Sequence, residues 1–325
     1  MVDQLAPVDT CRTCGVALNS GQPQTDGLCP ACAAARSPAA FEEVQPPPDS
    51  SSSGVAASPG VPASLSQDVP TDPDNPSWGP VGGVTVWVLS VGAIIVFPII
   101  AVMVWYFVES ARGSHLPNLA NRDEMLEWLK SPNLLLVQVL STIVAHAITI
   151  FICWAVVTRL GRRPFWESLG WSWAGHSVWY WLLFSAVIIV ALLLATQLLS
   201  RVLPQSEENS FSELLKSSTR VRVAIAVLAT FTAPLVEEAV YRGILFSAFR
   251  RSLGFVGTVV LVTLMFTGVH VLQYLGAWVS IAGLTLLSLS LTLIRARTKS
   301  ILPCVLIHTV NNAFFSVLIL FNKMS

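Results

Sequence analysis

Residues 233–243 read Ala-Pro-Leu-Val-Glu-Glu-Ala-Val-Tyr-Arg-Gly, an apolar stretch that contains three charged side chains. Charge within a membrane-spanning helix is costly, so such residues usually face a protein interior or a functional cavity. In a regular helix Glu238 and Arg242 share one face, whereas Glu237 and Arg242 diverge by about 140°. We therefore expect Glu238 and Arg242 to pair with each other and Glu237 to remain available as a general base.

The rest of the chain is rich in apolar residues and poor in charge. Of its 325 residues, 53% are hydrophobic and 12% are charged, and the formal net charge is zero. Soluble domains contain about 25% charged residues. The composition therefore indicates an integral membrane protein, for which the lipid bilayer is an expected partner. The balanced charge gives no support for nucleic-acid binding.

Long apolar segments predict an all-α bundle of about seven transmembrane helices over residues 83–325. The segments cover residues 84–108, 134–157, 178–199, 223–245, 255–272, 275–294 and 301–321. Basic residues follow the second, fourth and sixth segments, at Arg159, Arg250 and Arg295 among others. The positive-inside rule makes this side cytoplasmic. We expect a multi-pass protein of the plasma (inner) membrane with a cytoplasmic N-terminus.

The polar N-terminal region divides into two parts. Residues 1–36 contain two Cys-x-x-Cys pairs, which match a small zinc ribbon with a structural Zn²⁺ bound by four thiolates; these are Cys11, Cys14, Cys29 and Cys32. Two disulfides are the alternative and would suit an oxidising compartment. Residues 37–82 are rich in proline and serine and predict a disordered linker.

Three later segments place a histidine at membrane depth. We expect His146, in the second segment, to serve packing or hydrogen bonding. His270 lies four residues after Phe266, so the two share a helix face. His308 and Asn312 have the same spacing, whereas Asn311 points about 100° away from Asn312. Asn312 is therefore the expected partner of His308.

If the three helices converge, their polar side chains predict two kinds of chemistry. Glu237 and His270 could activate a water for attack on a carbonyl, with His308 and Asn312 stabilising the oxyanion. Alternatively Glu237, His270 and His308 could bind a catalytic metal such as Zn²⁺ with one open position. The spacing alone leaves both open.

The order Glu-Glu-x-x-x-Arg, Phe-x-x-x-His, His-x-x-x-Asn resembles the CPBP family of intramembrane proteases. This family includes type II CAAX prenyl proteases and Abi-like bacteriocin-processing proteins, and the resemblance covers about residues 220–320. It implies that Glu237 activates water with the help of His270. It further implies that His308 and Asn312 stabilise the oxyanion, and that Glu238 and Arg242 support the site.

The resemblance implies an endopeptidase that hydrolyses a peptide bond in a membrane-associated protein or peptide, which can itself be lipidated. Two other classes of function stay open. A non-catalytic membrane scaffold or bacteriocin-immunity protein could keep a polar core for assembly, and a transporter could use the same polar cavity as a solute site. The sequence does not predict the oligomeric state.

Overall fold

The computed structural model describes residues 72–204 and 209–321, and every regular element within them is a helix. The predicted all-α class is therefore confirmed, whereas the zinc-ribbon cysteines lie outside the described residues. In chain order the α-helices are α1 (Pro80–Ala111), α2 (Arg122–Leu129), α3 (Pro132–Thr158), α4 (Phe165–Ser168), α5 (Val178–Leu199), α6 (Ser210–Ser217), α7 (Thr219–Val227), α8 (Ala233–Glu238), α9 (Phe246–Val271), α10 (Trp278–Thr298) and α11 (Leu302–Phe321).

Six helical segments of the described chain are long and apolar enough to cross a membrane. One of them, Thr219–Val271, has 53 residues. As a straight helix it would be about 80 Å long, far more than the roughly 30 Å of a bilayer's hydrocarbon core. Its backbone leaves the helical conformation at Gly254, where φ is 66°. This break lies between the predicted fourth and fifth segments, which together form this one long helical segment.

Two π-helical stretches flank α8, where the sequence predicted one continuous α-helix over residues 223–245. They are π1 (Leu228–Thr232) and π2 (Ala239–Leu245). Pro234 offers one physical reason for the first, because its ring clashes with the carbonyl four residues earlier and it lacks an N–H donor. Turns of π-helix are rare and occur frequently at functional sites. Here they bracket Glu237 and Glu238.

The residues just before α1 dock onto one end of the bundle. We call residues 72–79 the N-terminal strap. Asp74 Oδ1 lies 2.9 Å from Arg295 Nη1, and Asn75 Oδ1 accepts a hydrogen bond of 2.8 Å from Arg251. Residues 72–82 of the predicted linker are thus ordered, since their acidic and amide groups pair with arginines that composition alone does not consider. The contacts of the strap also show that Arg251 and Arg295 lie at the same end of the bundle.

The break at Gly254 also affects where His270, on α9, lies relative to Glu237. Across this break, the Tyr241 ring of π2 lies 5.1 Å from the Phe266 ring of α9, centre to centre. Glu237 precedes Gly254 by 17 residues, and His270 follows it by 16. The stretches before and after the break therefore lie beside each other, and Glu237 and His270 line the same cavity.

Candidate active site

The centre of the site is a fully buried ion pair. Arg242 Nη1 lies 3.0 Å from Glu238 Oε1, and neither side chain is exposed. Arg242 also donates from Nη2 to the carbonyl and the hydroxyl of Ser288, both at 2.9 Å, and its guanidinium lies 4.8 Å from the centre of the Phe266 ring. The expected pairing of Glu238 with Arg242 is present. A buried charge of this kind requires such partners, because desolvation is costly.

His308 connects both acids. Its Nδ1 lies 2.8 Å from Glu238 Oε1, and its Nε2 lies 3.8 Å from Glu237 Oε2. Helical spacing within one segment suggested that Glu237 has no partner. In the structure His308, from another helix, lies beside it. The side chain of Glu237 is 23% exposed while that of Glu238 is completely buried. Two consecutive glutamates thus occupy different environments, one closed by Arg242 and one open to the cavity.

His270 is held by its own helix. Its Nδ1 lies 2.8 Å from the carbonyl oxygen of Phe266, four residues earlier. A carbonyl oxygen only accepts hydrogen bonds, so Nδ1 carries the proton and Nε2 of the neutral ring is an acceptor. The Phe266 ring lies between the two histidines, 4.9 Å from the His270 ring and 6.0 Å from the His308 ring, centre to centre.

The two asparagines face the first π-helical stretch. Asn312 Nδ2 donates to the carbonyl of Ala229 at 2.9 Å, and Asn311 Nδ2 donates to Asn312 Oδ1 at 3.3 Å. Within residues 209–321 Asn312 makes no hydrogen bond to His308; Glu238 is the partner of His308 Nδ1. The pairing depends on a contact between helices, which spacing within one helix does not determine. Asn311 Oδ1 is buried without a hydrogen-bond partner.

One cavity of about 1010 Å³ collects these polar groups. Its wall is mostly apolar, and its polar members include all four predicted catalytic residues: Glu237, His270, His308 and Asn312. Asn311 also lines it, although the sequence favoured only its neighbour. A large apolar cavity with a few convergent polar side chains is the usual form of a binding or active site.

Sequence reasoning missed two further residues on this wall. His146 was expected to serve packing or hydrogen bonding, and its Nδ1 lies 2.9 Å from the hydroxyl of Thr232 in π1. It also lines the cavity, which the sequence did not predict. Tyr274, in the turn after α9, also lines it and stacks near Phe211 at 5.3 Å between ring centres. Burial, and to a lesser extent the nearby Glu237 carboxylate, raises the pKa of the Tyr274 phenol to about 12. Its position outside the apolar segments gave no sequence signal.

A catalytic metal at Glu237, His270 and His308 stays a prediction from the sequence. Across residues 72–204 and 209–321, no three His, Cys, Asp or Glu side chains are grouped so that they could hold a metal ion. His270 and His308 each direct Nδ1 to a protein acceptor.

Comparison with known proteins adds one finding. Residues 219–314 match the family model described as type II CAAX prenyl endopeptidase Rce1-like. No curated protein and no solved structure gives a significant match. The matched segment contains the buried Glu238–Arg242 pair and all four side chains that converge on the cavity from α8, α9 and α11. Residues 219–314 of this chain are therefore similar to the type II CAAX prenyl endopeptidase Rce1-like family.

Proposed function

We propose that this protein is an intramembrane endopeptidase in which Glu237 activates water for peptide-bond hydrolysis. The observation that carries the proposal is the contact of His308 with both acids at the wall of the cavity, at 2.8 Å for Glu238 and 3.8 Å for Glu237. Glu238 is occupied by Arg242 and His308. Glu237 is the acid left with access to the cavity, where a water and a substrate carbonyl can meet.

In the proposed reaction, Glu237 accepts a proton from water as the water oxygen bonds to the carbonyl carbon. His270 assists, because its Nε2 can accept a hydrogen bond from the same water. The carbonyl oxygen becomes an oxyanion. When the tetrahedral intermediate collapses, the C–N bond breaks and Glu237 returns the proton to the leaving amine, as microscopic reversibility of acid–base catalysis requires.

Two groups are suited to stabilise the oxyanion. An amide NH₂ has two N–H donors, and Asn312 uses one on Ala229. The second can bind the oxyanion. His308 can donate from Nε2 when both ring nitrogens are protonated, with Nδ1 held by Glu238. Loss of one such donor typically costs about 100-fold to 1000-fold in kcat.

The proposal is tested by comparing membranes from cells that express wild-type protein or Glu237→Gln. Cleavage products are identified by mass spectrometry. Removing the general base should lower cleavage by about 100-fold or more. Glu213→Gln is the matched control, because Glu213 is 58% exposed and pairs only with Lys130 in a surface contact. Unchanged cleavage by the Glu237→Gln protein would contradict the mechanism, and solute flux without any cleavage would support a transporter.

The substrate proposed is a membrane-associated protein or peptide, which can carry a lipid. Purified protein would be given an internally quenched peptide with a farnesylated cysteine four residues from its C-terminus, the arrangement of a CAAX motif. The same peptide without the lipid is the control. Faster cleavage of the lipidated peptide would support recognition of the lipid, and equal cleavage of both peptides would mean that the lipid is not recognised.

We also propose that the N-terminal cysteines bind one structural Zn²⁺ that takes no part in hydrolysis. Four thiolates fill a tetrahedral zinc site and leave no position for water. The protein is expected to contain about one equivalent of zinc, which Cys11→Ser removes. Chelation should leave cleavage by the Cys11→Ser protein unchanged. Loss of its activity on chelation would favour a metal at Glu237, His270 and His308.

A further inference from the structure

Two carbonyl groups of π2 accept hydrogen bonds from side chains outside the helix. Arg295 Nε donates to the carbonyl of Arg242 at 3.0 Å, and Trp78 Nε1 donates to the carbonyl of Ile244 at 3.1 Å. Arg295 comes from the C-terminal turn of α10, and Trp78 belongs to the N-terminal strap. The helical stretch that carries Arg242 is therefore held at its backbone by two distant parts of the chain.

Arg295 is fully buried and is itself held by the strap. Its Nη1 lies 2.9 Å from Asp74 Oδ1, and its Nη2 donates to the Pro73 carbonyl at 3.2 Å and to the Ser247 hydroxyl at 3.1 Å. A guanidinium has five N–H donors in a rigid plane, so these bonds leave it little freedom. Its position is determined jointly by the strap and by the start of α9.

These contacts form a continuous chain of bonds from the strap to the site. Asp74 binds Arg295, and Arg295 binds the backbone of Arg242. The side chain of Arg242 binds Glu238, which in turn binds Nδ1 of His308. A displacement of the Arg242 backbone would therefore shift the pair that orients His308 against Glu237.

We propose that Asp74, Trp78 and Arg295 are positioning residues of the active site, which act by holding π2. The inference rests on the proposed function, because the site it serves is the one assigned to peptide hydrolysis. It extends the functional unit beyond the segment that matches the family model, residues 219–314, since the strap lies more than 130 residues before it. A purely structural strap would stabilise the bundle without affecting turnover of the folded protein.

The test uses the full chain, purified in detergent, with the farnesylated quenched peptide as the probe. Asp74→Asn removes the charge that holds Arg295, and Asp74→Glu retains it. Asp72→Asn is the matched control, because Asp72 is 51% exposed in side chain and its Oδ1 lies 3.9 Å from Lys299 Nζ. This Oδ1 also accepts a hydrogen bond of 3.0 Å from the backbone N–H of Asp74, which the amide oxygen of asparagine can accept as well. All assays are run well below the melting temperature of each variant, so that every protein measured is folded.

We expect Asp74→Asn to lower kcat by about 100-fold, the cost of a misplacement of about 1 Å. KM should change little, because the strap does not line the cavity. Asp74→Glu should recover activity and Asp72→Asn should match wild type. Trp78→Phe, which loses only the indole N–H, should also lower kcat. Wild-type kcat in folded Asp74→Asn and Trp78→Phe proteins would overturn the inference.

Hydrogen exchange of the backbone amides in residues 239–245 provides a readout that does not depend on catalysis. Exchange should be faster in Asp74→Asn than in wild type and Asp72→Asn. Unchanged exchange in Asp74→Asn would show that the strap does not hold π2. If wild-type protein cleaves no probe and no cellular substrate, the proposed function fails, while the exchange measurement still decides whether the strap holds this helix.

Discussion

At the scale of single residues, neighbouring side chains of identical chemistry have different roles because their surroundings differ. Glu238 is fully buried against Arg242, whereas Glu237 is 23% exposed toward the cavity. Glu238→Gln would leave the Arg242 guanidinium buried without its counter-charge, at a cost of about 3–5 kcal/mol. Glu237→Gln should change stability by about 1 kcal/mol or less. Thermal unfolding in detergent measures both.

Comparing the Glu237→Gln and Glu238→Gln proteins distinguishes a catalytic acid from a supporting one. Glu237→Gln protein should fold with a melting temperature near that of wild type and yet not cleave, whereas Glu238→Gln should lose both stability and cleavage. Glu213→Gln reports the effect of removing an exposed carboxylate. Equal destabilisation by Glu237→Gln and Glu238→Gln would mean that both acids are structural.

Tyr274 gives the site a dependence on alkaline pH. Its folded-state pKa of about 12 lies above the value of about 10 expected for an unfolded tyrosine. Its contribution to stability is therefore fully present below about pH 10 and is lost as the pH rises toward 12. The melting temperature of wild type should fall across this range more than that of Tyr274→Phe. An equal fall in both proteins would contradict the assignment.

The Glu237→Gln protein tests the cause of that shift. Burial is the larger cause and the Glu237 charge the smaller one, so most of the shift should persist in this variant. Tyrosinate absorbance during an alkaline titration, compared with Tyr274→Phe, isolates this phenol. A return of its pKa to about 10 would make the carboxylate the main cause.

Helical spacing predicted the contacts of the site only where both residues lie in the same helix. A separation of four residues correctly joined Glu238 to Arg242 and His270 to Phe266, because both contacts lie within one helix. The partner of His308 comes from another helix, and spacing within α11 pointed to Asn312 instead. His146 shows the same limit, since only the folded bundle brings it to the cavity wall.

At the scale of elements, the packing of α1 against the start of α9 depends on a missing side chain. A Cβ at Gly83 would lie 2.8 Å from the Cβ of Ala248, which cannot rotate away. Gly83→Ala should therefore force α1 away from α9, at about 1–3 kcal/mol for overpacking. The same shift would disturb the neighbouring π2, so cleavage should fall as well. Thermal unfolding and the peptide assay measure the two effects.

Gly92→Ala is the control in the same helix. A Cβ there meets nothing within 4 Å, and alanine favours the helix over glycine by up to about 1 kcal/mol. This variant should match or exceed wild type in melting temperature and should retain cleavage. If Gly83→Ala behaves in the same way, the contact between α1 and α9 is not tight.

The π-helical stretches show why elements were predicted better than their internal geometry. Apolar segments marked the long helices, because membrane helices need about 20 apolar residues. A π-turn changes neither length nor apolar content, so π2 was invisible to that criterion. Its backbone contacts with Trp78 and Arg295 come from residues far away in sequence.

At the scale of the whole molecule, the strap fixes which ends of the helices lie together. It contacts Arg159, Arg251 and Arg295, which follow or end three different passes. The sequence expected these basic positions on one side, and the contacts place them at one end of the bundle. The positive-inside rule predicts that this end faces the cytoplasm.

Cysteine labelling tests that orientation. Glu167→Cys is exposed in the connection after α3, at the strap end, and Ser114→Cys is exposed after α1, at the other end. A membrane-impermeant maleimide added to intact cells should label Ser114→Cys only, and permeabilised cells should show both. Peptide mapping by mass spectrometry separates these sites from the native cysteines, of which Cys153 and Cys304 are buried.

The reverse labelling pattern would have two consequences for the proposals. It would place the strap, and the N-terminal cysteines connected to it, on the extracytoplasmic side, where oxidising conditions favour disulfides over a thiolate-bound zinc. The labelling result and the zinc content should therefore agree: a cytoplasmic strap with one equivalent of zinc, or an external strap with none. The mechanism at Glu237 does not depend on this outcome, because the cavity and its polar side chains lie within the helices.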